Sequence, residues 1–187
     1  MGWRISIKQA LAGQPRHILA GLILSLSLAD GAHAASQGSV GATSTGTVII
    51  SVSVPPRARI SGLTDIALVD QDPTRAASGS RDVCIWSNTS SQTYTVTANG
   101  SGPGGDFLLS NGARKVPYAI RWNARGAETR LTNGVTSMML VSAATEQACA
   151  SEPGTARLTV EVEPADLKTM EPGVAYVGTL TLIVAPQ

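Results

Sequence analysis

The chain has 187 residues, with 14 Lys and Arg against 13 Asp and Glu, so its formal charge at pH 7 is only +1. Nucleic-acid binding needs a basic surface that neutralises phosphates, and after residue 34 no run of like charges exceeds Arg114-Lys115, so no nucleic-acid partner is expected. Charged residues make up 14% of the chain, while small, polar and β-branched residues are abundant, which favours short strands over helices.

The first 34 residues have the pattern of a secretory signal peptide. Arg4, Lys8 and Arg16 form a positive n-region, residues 18–28 form an apolar h-region, and Ala32-His33-Ala34 is a small-x-small cleavage site. The apolar run is shorter than the ~20 residues that a membrane-spanning helix needs. The sequence therefore predicts export, with cleavage after residue 34.

Both histidines of the chain, His17 and His33, lie inside this segment. Nucleophilic triads and much general-base chemistry depend on a histidine. The scattered acidic residues are interpreted as solvated surface charge rather than as a glycosidase pair. We therefore expect no enzyme activity, no catalytic or metal-ligating residues and no cofactor.

The two cysteines of the chain, Cys84 and Cys149, predict a structural disulfide. Exported proteins reach an oxidising compartment, where paired cysteines form disulfides by default. A reactive thiol or a metal ligand is the alternative, but no histidine accompanies the pair and no basic neighbour activates either thiol. In the chain-entropy model, closing a loop of this length contributes about 4 kcal/mol.

The exported chain begins with a leader and a strand-like segment. Residues 35–46 are small, polar and glycine-rich, which predicts a flexible leader. Thr47–Val54 then gives the clearest strand signal of the chain, and Pro55-Pro56 ends it. The alternate apolar side chains of this segment are Val48, Ile50, Val52 and Val54.

Eight or nine short strands follow one another at regular spacing. Beyond Thr47–Val54, strands are predicted over 60–69, 81–88, 92–98, 107–109, 116–122, 135–142, 155–163 and 174–184, a loop over 123–134 and one helical turn within 164–172. Strands 81–88 and 92–98 are expected to form a hairpin, and Asn111-Gly112 to turn another. This pattern predicts an all-β, immunoglobulin-like β-sandwich, in a single domain over residues 47–187.

Two aromatic residues are candidate contacts for a carbohydrate. Trp122 and Tyr118 lie close together in the sequence, and such rings stack on the faces of sugars. The alternative is that they belong to the core. For Trp86, which shares a strand face with Cys84, core packing over the disulfide is the favoured interpretation.

The end of the chain resembles a known family. Residues 172–182 (PGVAYVGTLTL) are similar to the closing strand of pilin-like subunits of chaperone–usher secretion systems, the fimbrial and spore-coat-protein-U-like group. Thr47–Val54 with Pro55-Pro56 resembles their alternating N-terminal segment, and residues 82–87 with the later Cys149 resemble their paired cysteines. The resemblance covers most of the exported chain.

This resemblance implies an incomplete sandwich, one strand short. In that family a periplasmic chaperone lends the strand, and the N-terminal extension of the next subunit later replaces it, a form of β-augmentation. The chain would then be a structural subunit of a bacterial surface fibre, a pilus or fimbria. It would pass through the periplasm and an outer-membrane usher to the cell surface, and contact other copies or related subunits.

Two alternatives stay open at this level. Val48, Ile50, Val52 and Val54 are the donor side chains if the segment completes a neighbour, or simply face the core if it is the first strand of its own complete sandwich. The functional alternative is a soluble periplasmic or tip-located adhesin module that binds a host or surface glycan through Trp122 and Tyr118.

Overall fold

The computed structural model describes residues 35–69, 71–150 and 154–187, so the predicted signal peptide lies outside the described residues. Ser53–Gln187 forms one compact unit, and the residues up to Val52 belong to a second. In that second unit Ser36 and Thr47 form an isolated antiparallel bridge, with both N···O distances at 3.0 Å. All the strands described below belong to the Ser53–Gln187 unit.

Ten strands build the described part of this unit, and every strand pair among them is antiparallel. The prediction of an all-β fold is confirmed. The strands are β1 (Ala58–Ser61), β2 (Ala77–Ser87), β3 (Thr93–Gly100), β4 (Leu108–Asn111), β5 (Arg114–Pro117), β6 (Ala119–Ala124), β7 (Ala127–Leu131), β8 (Leu140–Val141), β9 (Ala156–Val162) and β10 (Leu180–Pro186).

The strands form two main sheets and a separate hairpin. One sheet has the order β1-β2-β9-β6-β7, the other has the order β10-β3-β8, and β4 pairs with β5. Within the described ranges the helical elements are a 3-10 turn at Pro103–Gly105 and one α-helical turn, α1 (Pro164–Leu167), inside the predicted 164–172 segment. No helix of these ranges is long and apolar enough to cross a membrane.

The two sheets share one apolar core. Tyr94 and Val96 of β3 and Ile120 and Trp122 of β6 are completely buried. In each strand the two residues are two positions apart and so lie on the same face. The indole N–H of Trp122 donates to the Tyr94 hydroxyl at 3.2 Å and so links the sheets through the core. Full burial of a large apolar side chain contributes about 1.5–3 kcal/mol, and this core therefore holds the sandwich together.

The predicted disulfide between Cys84 and Cys149 is confirmed. It ties β2 to the loop that precedes β9, and both cysteines are buried together with Ala144. Trp86 is half-buried and packs against this cluster, in agreement with the core interpretation of that residue.

The expected hairpin between residues 81–88 and 92–98 is wrong. β2 pairs with β1 and β9, whereas β3 pairs with β10 and β8, so the two strands belong to different sheets. Both strands carry fully buried apolar residues, and each sheet packs that face against the shared core. The short link between them, in which Gln92 takes a positive φ of 54°, carries the chain from one sheet to the other.

The hairpin predicted at Asn111-Gly112 forms, and the structure adds a second one that the sequence did not predict. β4 and β5 are joined by Gly112 and Ala113, with Gly112 at a φ of 58°, so the turn lies one residue later than predicted and Asn111 pairs with Arg114. The predicted loop over 123–134 contains strand β7, joined to β6 through Arg125 and Gly126 at φ values of 50° and 85°, as a type I′ turn requires. The sequence signal of β7 is weak because this edge strand presents charged residues to solvent.

Several predicted strands are shorter in the structure. The strand predicted over 60–69 ends at Ser61, before Gly62 with a φ of 77°. Residues 116–122 divide at Tyr118 into β5, which pairs with β4, and β6, which pairs with β7 and β9. Residues 135–142 contribute only β8, and residues 174–184 become a strand only from Leu180.

Candidate functional site

The predicted strand over Thr47–Val54 is not a strand in this chain. Residues 48–57 have no regular secondary structure, because a strand needs a hydrogen-bonded neighbour and β1 begins only at Ala58. The alternate apolar side chains are 71–92% exposed, a large amount of apolar surface for one short segment. The exposed residues are Val48, Ile50, Val52 and Val54, and we call residues 47–54 the arm.

Strand β10 has one edge without a partner strand among the described residues, since it lies at the end of its sheet. The Gln187 N–H donates to the Thr93 carbonyl at 3.1 Å. Counting back from Gln187, every second residue of β10 is therefore hydrogen-bonded to β3. In an antiparallel ladder alternate residues direct their N–H and C=O groups to opposite edges. The residues that direct theirs to the open edge are Leu180, Leu182 and Val184.

The same three residues turn their side chains toward the core. Leu180, Leu182 and Val184 are half-buried against it, whereas their neighbour Ile183 is 53% exposed on the other face. The end strand of the other sheet, β1, approaches β10 to within 8 Å between Cα atoms without pairing with it. Ile60 of β1 is also half-buried against the core. We call Ile60, Leu180, Leu182 and Val184, with the open edge of β10, the edge groove.

The carbohydrate contacts proposed from the sequence lie inside the protein. Trp122 is completely buried and Tyr118 is 8% exposed, so neither offers a ring face to a ligand. The alternation of β6 turns Trp122 inward with Ile120, and Tyr118 packs on Phe107 with ring centroids 5.6 Å apart. Burial raises the pKa of the Tyr118 hydroxyl, as expected for a core residue. Their assignment as ligand contacts is therefore corrected to core packing.

Replacing Trp122 tests this correction. We expect Trp122→Ala to lower the free energy of unfolding by about 3–5 kcal/mol, because it empties a large core position. Trp122→Phe keeps a ring but removes the donor to the buried Tyr94 hydroxyl, and about 1–3 kcal/mol is expected. Urea denaturation measures both values. Unchanged stability of Trp122→Ala would contradict the core assignment.

Charged residues on the outer face of the five-stranded sheet pair with one another. Arg157 of β9 binds Asp82 of β2 through two hydrogen bonds at 2.7 and 3.0 Å, which lower the pKa of the Asp82 carboxyl. Arg121 of β6 bridges Glu161 and Glu128 at 3.0 Å each. These pairs join neighbouring strands, and a shallow polar depression of about 520 Å³ lies beside the first of them.

Across residues 35–69, 71–150 and 154–187, no group of three or more His, Cys, Asp or Glu side chains is placed to hold a metal ion. An apolar arm, which has no strand partner from residue 48 onward, and an apolar sheet edge without a strand partner among the described residues occur in one chain.

No protein-family model matches the chain, and no curated protein does. Among solved structures, a chain of a chaperone–tip adhesin complex of CFA/I fimbriae is 16% identical, with 70% of this chain and 41% of that chain covered and a TM-score of 0.47. A mutant of the CFA/I adhesin CfaE of enterotoxigenic E. coli is also 16% identical, with 60% and 36% covered and a TM-score of 0.42. This chain thus spans about two fifths of their length, and the proposals below rest on its own strands and contacts.

Proposed function

We propose that this protein is a structural subunit of a bacterial surface fibre whose copies join by strand insertion. The arm of one copy would occupy the edge groove of the next. The observation that carries the proposal is the open edge of β10. Its main-chain groups have no strand partner among the described residues, and its inward side chains are only half-buried against the core.

The arm has the chemistry that this edge requires. In strand addition, main-chain hydrogen bonds supply affinity, and alternate side chains of the added strand enter pockets. Side chains on one face of a strand repeat about every 6.6–6.8 Å. The arm carries apolar residues at that repeat, and so does the core-facing side of β10. The opposite face of the arm is mostly polar, with Thr47, Ser51 and Ser53 beside Ile49, and suits the outer surface of a fibre.

The proposal also explains why the chain would need a chaperone and an usher, and why it would be located at the cell surface. An exposed apolar arm and an open sheet edge are both aggregation hazards before assembly. A periplasmic chaperone that lends a strand would protect the groove until the next copy arrives, and an outer-membrane usher would order the exchange. Under this proposal the exported chain passes through the periplasm and ends at the cell surface.

An adhesin module that binds a glycan is not favoured by any side chain described above. Its two candidate contacts, Trp122 and Tyr118, are buried in the core. No glycan is therefore proposed as a partner.

The test is the mass of the exported chain, residues 35–187, in solution. Size-exclusion chromatography with light scattering is run over a range of protein concentrations. We expect masses at multiples of the subunit that grow with concentration and dissociate slowly on dilution. A stable monomer at all concentrations, with an unfolding midpoint independent of concentration, would overturn the proposal.

A further inference from the structure

Asn88 holds the segment that connects the arm to β1. Its side-chain N–H donates to the Pro55 carbonyl at 3.0 Å, and its side-chain oxygen accepts the Arg57 N–H at 2.6 Å. The main-chain N–H of Asn88 also donates to the Arg57 carbonyl at 3.1 Å. Three hydrogen bonds with Asn88 thus hold both ends of the Pro55–Arg57 connection. All of these residues belong to the Ser53–Gln187 unit.

These bonds extend the β1–β2 ladder by one residue pair beyond Ala58 and Ser87. Ala58 pairs with Ser87, so Arg57 faces Asn88 as the next pair. In an ordinary pair of this kind the main-chain carbonyl would accept the Arg57 N–H. Here the amide oxygen takes that bond, and the amide nitrogen reaches beyond Pro56, which has no N–H to offer. The side chain therefore fixes a proline segment that a sheet cannot hold by itself.

The connection itself disfavours a tight reversal of the chain. Each proline fixes its own φ near −65° and restricts the residue before it to extended conformations, which covers Val54, Pro55 and Pro56. Two-residue hairpin turns need positive φ, usually at glycine, and no glycine occurs between Thr47 and Ser61. The three residues between the arm and β1 therefore form a stiff, extended spacer of about 10 Å.

A stiff spacer matters because self-insertion competes with assembly. An arm on a short flexible linker would meet its own groove at an effective concentration in the millimolar range. Other copies at micromolar concentration would lose that competition by a factor of about a thousand. A fibre subunit with both arm and groove therefore needs geometry that forbids closure within one chain.

We propose that Asn88 and Pro55-Pro56 form a rigid joint that prevents the arm from closing on its own edge groove and commits it to a second copy of this chain. The inference rests on the proposed function and adds its regulation. Asn88 acts as a positioning residue, since it holds the Pro55–Arg57 backbone and belongs to neither the arm nor the groove.

The test compares the exported chain with a loosened variant. Pro55-Pro56 is replaced by a Gly-Ser linker of about eight residues, with a root-mean-square length of about 16 Å, and Asn88→Ala is added. In a matched control the same linker is inserted between Gly46 and Thr47, leaving the joint intact. Light scattering gives the polymer fraction. We expect at least about tenfold less polymer in the loosened variant than in either other protein, and a monomer as resistant to unfolding as the polymer.

The outcomes separate the joint from the fibre. Equal polymerisation of all three proteins would overturn the joint and leave the proposed function standing. A monomeric parent chain would overturn both. Asn88→Ala alone, with the prolines kept, should give an intermediate monomer fraction, whereas Ser90→Ala in the same loop should not. If the double change prevents folding, the linker variant that keeps Asn88 decides between the same outcomes.

Discussion

Deletion of residues 35–54 is expected to convert the polymer into a folded monomer with an empty edge groove. All ten described strands and the disulfide lie outside the deleted segment, so the core keeps its packing. The loss falls on the junction between copies, where each inserted Val or Ile contributes up to about 1.5–3 kcal/mol. Light scattering measures the mass, and far-UV circular dichroism verifies that the strands remain.

A peptide of residues 47–54 should restore the missing strand to this monomer. At a peptide concentration of about 100 times its Kd, binding stabilises the folded state by about 2.7 kcal/mol. For a domain of this size that corresponds to a rise in Tm of roughly 5–10 °C. The matched control is the same peptide with Ile50→Ser and Val52→Ser, which keeps its main-chain groups. An unfolded deletion variant that no peptide rescues would show that the arm is an ordinary core strand.

Leu182→Asp should abolish polymerisation, while Ile183→Asp should leave it intact. The two residues are neighbours on β10 but face opposite ways, with Leu182 in the groove and Ile183 exposed. Before insertion the carboxylate introduced by Leu182→Asp can reach water, whereas an inserted arm would bury it without a partner, at a cost of several kcal/mol. Light scattering of both variants gives the comparison, with circular dichroism as the measure of folding.

Mixing the Leu182→Asp chain with the parent chain tests the role of the groove further. A chain carrying Leu182→Asp keeps its arm and should still donate it to a normal copy, but it cannot accept the next arm. We therefore expect it to cap growing polymers, so that adding it to the parent chain shortens them in proportion to its share. Equal loss of polymer in both single variants would indicate general destabilisation and contradict a specific role for the groove.

Alternation in the sequence was sufficient to predict much of the core. The inward residues of 92–98 and 155–163 lie where the period-2 pattern places them, because burial on one face directly selects apolar residues at every second position. Arg157 and Glu161 lie on the other face of β9, as expected. The disulfide was predictable for a different reason, since the sequence holds only two cysteines and its first 34 residues predict export to an oxidising compartment.

The sequence predicted only part of the candidate site. The alternation of residues 47–54 pointed to the arm, but no pattern pointed to Asn88 or to the open edge of β10. An asparagine directly after a strand and opposite a Pro-Pro pair is a usable signal, although only the register of β1 with β2 shows that they meet. The burial of Trp122 likewise depended on which sheet its strand joined.

From the order of the residues alone one could predict which faces of the strands are apolar, where most turns fall and that the chain carries one disulfide. Long-range pairing, which the side-chain pattern does not encode, sets which strands are neighbours. It places β2 and β3 in different sheets, and it leaves residues 48–54 and the edge of β10 without a strand partner among the described residues. This difference arises because a side-chain pattern specifies a face of a strand, whereas an edge pairs through main-chain hydrogen bonds, which every residue except proline can form in the same way.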